Sequence, residues 1–473
     1  MEKKLKYLVK NLKNVFSLSQ INEIAKTSKF VQRQSGITAK DFLIFNAFYG
    51  DNICGISLSQ LASKYDALFD VEVSRQALDK RFNDYSVTFM KEIFNNLMFS
   101  QNTILKNLKT TLNLHFNRII INDSTGFNLP KEFANEFAGS GGSASSSAIK
   151  IQLQYELLSG SFMRLDIFSG TNSDANYLDI MEIDKERGDL KLADLGYLKV
   201  DYLKALDKSG ASFISKVKSN TALYLKNLKP EKHKNGKIKK TSRYKKIDIL
   251  ELSKPLTEGE TIELKDVYIG SKKELKTRLI ITKLTEENKK KREVTLKENI
   301  RKKCQVFKQK RMDFNSVNAY ITNVNENILN NLQVHELYTL RWQIEIMFKI
   351  WKSIFKISQV KKVKIERFKC FLYGRLIALL LSSAIAFTSK NIVLITDGKE
   401  LSEFQSFGTI FQYFPRLAGV IFKENIYILN LLKKIISNFK KFCLKTNKNM
   451  KKIPIDILKI IELNLFEIER IAS

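Results

Sequence analysis

Tyr338, Arg341, Glu345 and Lys352 follow one another at intervals of three, four and seven residues inside LYTLRWQIEIMFKIWKS (337–353). On one continuous helix, turning about 100° per residue, they share a strip about 60° wide. A phenol, a guanidinium, a carboxylate and an ammonium on so narrow a strip do not make a core-packing stripe. The carboxylate suits a hard divalent cation, and the other three donate to phosphate oxygens. Glu345 by itself also reads as half of a solvated ion pair, since Lys349 lies four residues on.

Two more carboxylates stand where strands are expected to end. Asp123 closes the apolar run RIIIND (118–123), and Asp194 closes LKLAD (190–194). Taken singly, each is an ordinary turn residue before Ser124-Thr125-Gly126 or Leu195-Gly196. If the two strands lie side by side, both carboxylates emerge at one sheet edge, and a helix crossing that edge brings Glu345 to them. Three converging carboxylates suit Mg²⁺, with Mn²⁺ as substitute, and leave positions open for water and phosphate. Two such ions about 4 Å apart stabilise the entering and leaving oxygens of an in-line phosphoryl displacement.

The elements that must position these groups follow from periodicity. Residues 1–105 read as helical. Within them SLSQLASKYDALFDVEVSRQALDKRF (57–82) has two short helical patterns about a turn, with Ser74 as N-cap of the second. Ala77, Leu78 and Phe82 are expected to face inward, and Arg75, Lys80 and Arg81 outward. The pattern fits a helix-turn-helix or an ordinary helical hairpin. After the 118–123 strand comes a flexible loop, GSGGSASSS (139–147). No Gly-Lys-Ser/Thr follows it, so a phosphate-binding P-loop is not expected. AIKIQLQYEL (148–157) and SFMRLDIF (161–168) form a hairpin, LKVDYLKALDKSG (198–210) a helix, and ASFISKVK (211–218) a further strand. Residues 219–316 break the pattern with basic runs at 226–247 and 289–311 and strand-like pieces TIELKDVYIG (261–270) and KTRLIITKL (276–284). NAYITNV (318–324) returns to strand, and the chain beyond 365 is helical.

The chain has 473 residues and 44% hydrophobic content, enough to bury several cores. Lys and Arg exceed Asp and Glu by 80 − 49, a net +31. That excess points first to nucleic acid and second to an anionic membrane surface. Residues 226–247 alone hold ten basic side chains against Glu231, and read either as a phosphate-contacting surface or as a solvated loop. Cys54, Cys304, Cys370 and Cys443 stand too far apart for a zinc ribbon, and three histidines leave little material for a histidine metal site or a Ser-His-Asp triad. The N-terminus lacks a signal-peptide run, and the apolar stretch Leu376 to Phe387, bordered by Arg375, is too short to span a bilayer. A soluble, reduced, cytoplasmic protein without a membrane partner is expected.

These residues resemble the DDE transposases of bacterial insertion sequences, in the group marked by Y-x2-R-x3-E-x6-K, the IS-four-type family. The signature stands here as Tyr338, Arg341, Glu345 and Lys352, with Trp342 directly after the arginine. Ile121 to Thr125 looks like the family's first-Asp motif and Ala193 to Tyr197 its second; the likeness covers roughly residues 55–390. It implies an α/β fold: an RNase H-like core, a mixed five-stranded sheet with helices, interrupted by a β-rich insertion and flanked by helical regions. The expected layout is a helical DNA-binding region at 1–105, core at 112–218 and 317–390, insertion at 219–316, and a helical region at 391–473 for dimerisation or plain intramolecular packing. Asp123, Asp194 and Glu345 carry over as the ligands of two Mg²⁺ ions. Tyr338, Arg341 and Lys352 carry over as DNA-phosphate contacts, with Arg75, Lys80 and Arg81 as further DNA contacts. The expected partners are double-stranded DNA, namely terminal inverted repeats and target, and a second protomer in the synaptic complex. A hairpin route uses an aromatic side chain to hold a flipped base, and Trp342 and Trp351 qualify by type. The alternative is a DNA-binding protein of this fold that does not cut.

Overall fold

The alternating runs fold as strands in the computed structural model, which describes all residues except 1, 34–35, 107–114, 142–144, 181–186, 303–308, 446–452, 460–461 and 463–473. Cys304 and the last residues of the helical region expected at 391–473 lie outside the described residues. The strands are β1 (Ile119–Asn128), β2 (Ala148–Glu156), β3 (Ser161–Ser169), β4 (Leu190–Ala193) and β5 (Ser212–Lys216). They continue with β6 (Leu223–Lys226), β7 (Tyr244–Lys246), β8 (Thr261–Ile269), β9 (Leu275–Lys283) and β10 (Val317–Thr322). The chain forms two units.

The first unit takes Met1–Thr111, Ser124–Asn172 and Trp342–Ile455. Its β2–β3 hairpin pairs Ile149 with Ser169 and Glu156 with Ser161. The turn needs Gly160, whose φ is +73°; a Cβ there would also meet the Phe387 ring at 2.2 Å. Its centre is the helix Ile365–Asp397, apolar on every side and buried along most of its length. The expectation of a short apolar stretch is corrected here. The helix runs 33 residues and is long and apolar enough to cross a membrane, yet 94% of its most apolar window is buried inside the protein. It is a core helix, packed on the helices Asp84–Lys106 and Ala39–Ala47. Gly374 permits the second approach, since a Cβ there would stand 2.4 Å from the Asn46 carbonyl. Arg375, wholly buried, donates to the carbonyls of Asn46 and Ala47 at 2.8 and 2.9 Å. It thereby satisfies acceptors that the end of the Ala39–Ala47 helix leaves open.

The second unit takes Leu112–Asp123, Ser173–Arg341 and Asp456–Ser473. Here β1, β4 and β5 lie parallel, with Asn122 beside Ala193 and Ala193 beside Ser215. The helix Val200–Lys208 makes the crossover that parallel pairing of β4 and β5 requires. β10 pairs antiparallel with β5 and with β9, and the order continues β9-β8-β6-β7. The strands of 219–316 extend the sheet through β9 and β10. β1 also departs from expectation: it does not turn at Asp123 but runs on to Asn128.

Candidate active site

Strand register sets the first part of the site. Asp123, Asp194 and Lys216 each follow the last paired residues of three neighbouring parallel strands, Asn122, Ala193 and Ser215. Lys216 in turn faces Tyr320 across the antiparallel β5–β10 pair. In-register residues on adjacent strands share a face, so two carboxylates, an ammonium and a phenol form one row. Asp194 keeps extended backbone (φ −74°, ψ 166°) at the entry to the turn Leu195–Tyr197, and its side chain makes no capping hydrogen bond there.

Arg341 lies over the two acids. Its Nη1 is 3.2 Å from Asp123 Oδ2 and its Nε 3.9 Å from Asp194 Oδ1. Asp123 is mostly buried, whereas the Asp194 side chain is 41% exposed and open to an incoming group. Tyr338 donates to the Ala193 carbonyl at 3.4 Å and packs on Tyr320, with ring centroids 4.9 Å apart. Burial, with the nearby charge of Asp194, pushes its phenol well above the ordinary range, so Tyr338 stays a neutral donor. The Tyr320 hydroxyl and His335 Nδ1 lie 2.9 Å apart, and burial lowers the His335 pKa. Burial, then the repulsion of Arg292 and Arg341 opposed by Asp194, brings the Lys216 ammonium down to about 8. Lys216, Tyr320 and Arg292 escaped sequence reading. The sequence signal was weak, because Lys216 lies inside ASFISKVK (211–218) with Val217 and Lys218 still to follow.

The signature is not on one helix. Tyr338 belongs to the helix Asn331–Thr339, Leu340 and Arg341 form a turn, and the helix Trp342–Ser353 begins afterwards. Leu340 and Arg341 are good helix formers, so local propensity does not explain the break. It falls where the chain leaves the second unit for the first. On the later helix Glu345 and Lys352, seven residues apart, keep a common face. Lys352 donates to the Gly126 carbonyl at 2.9 Å, and burial lowers its pKa. Glu345 is half-buried in this unit. Among the described residues, no three His, Cys, Asp or Glu side chains are gathered closely enough to hold a metal ion. What lies between Asp123 and Asp194 is a guanidinium.

Other sequence candidates divide sharply. Trp342 is 59% exposed, while Trp351 is wholly buried between Phe162 and Phe348 and is not available to a base. Arg75 and Lys80 are exposed, but Arg81 does not face outward as expected. It donates to the Ile37 carbonyl at 3.1 Å and lies 4.1 Å over the Phe30 ring. The helix Arg75–Arg81 is only two turns long, and Leu78 and Phe82 draw its last turn into the core. Ala77, expected inside, is exposed. In the second unit, the basic run at 226–247 is an ordered, largely exposed strand pair with its connection, in which Lys239 pairs with Glu231.

Within the second unit, then, Asp123 and Asp194 lie side by side with Arg341 between them. The chain matches the Transposase DDE domain family over residues 114–381, and it belongs to that family. The transposase for insertion sequence element IS1151 of Clostridium perfringens is 64% identical over 472 residues, covering 100% of both chains. The transposase for element IS231F of Bacillus thuringiensis subsp. israelensis is 35% identical, covering 98% of this chain and 96% of its own. Among solved structures, a piggyBac transposase synaptic complex with hairpin DNA aligns over 95% of this chain and 87% of its own. Its identity is 12% and its TM-score 0.46, too distant to bear on the site.

Proposed function

We propose that the chain is an insertion-sequence transposase that cuts phosphodiester bonds at its element's ends and joins the freed 3′-hydroxyl to target DNA. The register of Asp123 beside Asp194 carries this reading. Two aspartates side by side on neighbouring chain segments, one exposed, offer hard oxygen donors that fit Mg²⁺ or Mn²⁺. Glu345 is the proposed third ligand. Divalent ions bound there would supply charge neutralisation and an activated oxygen nucleophile.

The chain's own groups do the rest. Arg341 holds the two carboxylates in place and, on turning toward DNA, presents its N–H groups to a phosphate. Tyr338 adds a neutral donor and Lys352 a cation, while Trp342 is exposed as a platform for an unstacked base. The basic surface at 226–247, with Arg75 and Lys80, would neutralise backbone phosphates and make end binding steeply salt-dependent. Two protomers in a synaptic complex, in the bacterial cytoplasm beside the nucleoid, complete the proposal.

The test is cleavage of duplexes bearing the element's terminal repeat. Asp194→Asn and Glu345→Ala should bind these ends and fail to nick them. Cutting at the wild-type rate by either variant removes the acid assignment. Loss of the 3′-joining step alone would leave a nuclease.

A further inference from the structure

Resting on the transposase reading above, the row across β1, β4, β5 and β10 holds a cation that the two aspartates and the Y-R-E-K residues do not account for. Lys216 stands one strand beyond Asp194, in register with it and facing Tyr320. Three cations lie near this face, and two are committed. Arg341 bridges Asp123 and Asp194. Arg292 donates to the Val317 carbonyl at 3.3 Å and to Asn318 Oδ1 at 2.8 Å. Lys216 is different. Among the described residues, no hydrogen-bond or ion-pair partner takes its ammonium, although the side chain is largely withdrawn from solvent.

We propose that Lys216 is a substrate-contacting residue of this site, receiving a non-bridging phosphate oxygen of the DNA strand beside the bond that Asp194 serves. A lysine partly stripped of water and left without an anion is costly unless an anion arrives. Asp194 is near enough to attract it but forms no ion pair with it. The open position beside an exposed carboxylate therefore fits a phosphodiester held between acid and ammonium. The ammonium has three donors and no fixed fork, which suits a phosphate oxygen approached along the strand. It is still largely protonated at neutral pH, since its pKa is brought down only to about 8. The neighbouring Tyr320 and His335 engage each other and leave the ammonium as the donor on that side.

Full-length Lys216→Met and Lys216→Arg would be compared with wild type and Glu345→Ala on a terminal-repeat duplex. The readouts are affinity against KCl concentration, nicking rate and melting temperature. Lys216→Met should lower the log–log salt slope by about 0.9, the value of one phosphate contact. It should slow nicking about ten- to hundredfold and melt no lower than wild type, because no intramolecular partner is lost. Lys216→Arg should restore most of the nicking. An unchanged salt slope and nicking rate in Lys216→Met overturns the proposal. So does a lowered melting temperature with no rescue by arginine, which would mark a structural lysine. Glu345→Ala separates the two levels: if it is inactive while Lys216→Met is normal, only Lys216 is misassigned. If Glu345→Ala itself nicks normally, the acid-site reading fails.

Discussion

Replacing Arg341 by methionine keeps the stem and removes the charge that bridges Asp123 and Asp194. At separations of 3.2 and 3.9 Å, Coulomb's law with an effective dielectric near 20 gives gross attractions of about 5 and 4 kcal/mol. Desolvation of three half-buried charges cancels most of this, and a hydrogen bond to a charged group is worth about 1.5–3 kcal/mol net. We take about 2 kcal/mol as the loss in the absence of divalent ions. The aspartates, no longer neutralised, should then draw Mg²⁺ more strongly, since a ligand that binds only the folded state stabilises it by RT ln(1 + [L]/Kd). Melting of the full chain, with EDTA or with excess Mg²⁺ at matched ionic strength, reads both effects. Arg341→Met should melt below wild type in EDTA and recover more of its stability on adding Mg²⁺. If the variant melts like wild type in EDTA, or gains no more from Mg²⁺ than wild type does, the guanidinium is not what holds the two acids.

Lys352→Ala should slow nicking at least about tenfold while end affinity changes far less, as parallel nicking and anisotropy measurements would show. Arg81→Ala should lower stability by about 1–2 kcal/mol through its lost carbonyl bond and its contact with Phe30. The salt slope of DNA binding should stay unchanged, whereas Arg75→Ala should reduce it. Glu403 gives a pH dependence. Burial alone would raise its pKa from 4.5, but the charges and hydrogen bonds of Lys390 and Lys445 outweigh this and bring it to about 2. Because the folded carboxyl titrates below the unfolded one, its stabilisation is complete above 4.5 and decays as pH falls toward about 2. Acid unfolding of Glu403→Gln should therefore be less steep through that window than that of wild type.

Periodicity carried far in this chain. The expected strands at 148–157, 161–168, 190–194, 211–218, 261–270, 276–284 and 318–324 lie within a few residues of β2, β3, β4, β5, β8, β9 and β10. Each has a period-2 or continuous apolar pattern bounded by polar or glycine residues, a signal that is local by nature. Ser74 caps its helix as its position suggests, accepting from the Ala77 N–H at 3.1 Å. Arg81 misled because a seven-residue helix exposes too few turns for its outward face to be read from spacing.

The types and spacing of Asp123, Asp194, Tyr338, Arg341, Glu345 and Lys352 were fixed by the chain alone, and they were enough to name the chemistry. Tertiary structure decided which strands became neighbours, and so which side chains share a level. That pairing is non-local, and no window of sequence contains it. Only the fold placed Lys216 in line with the two aspartates, set Arg341 between them, broke the signature helix at Leu340 and Arg341, and turned Trp351 inward while leaving Trp342 in solvent. The physical reason is that burial and charge balance are properties of the packed surroundings, which residues hundreds of positions apart supply together.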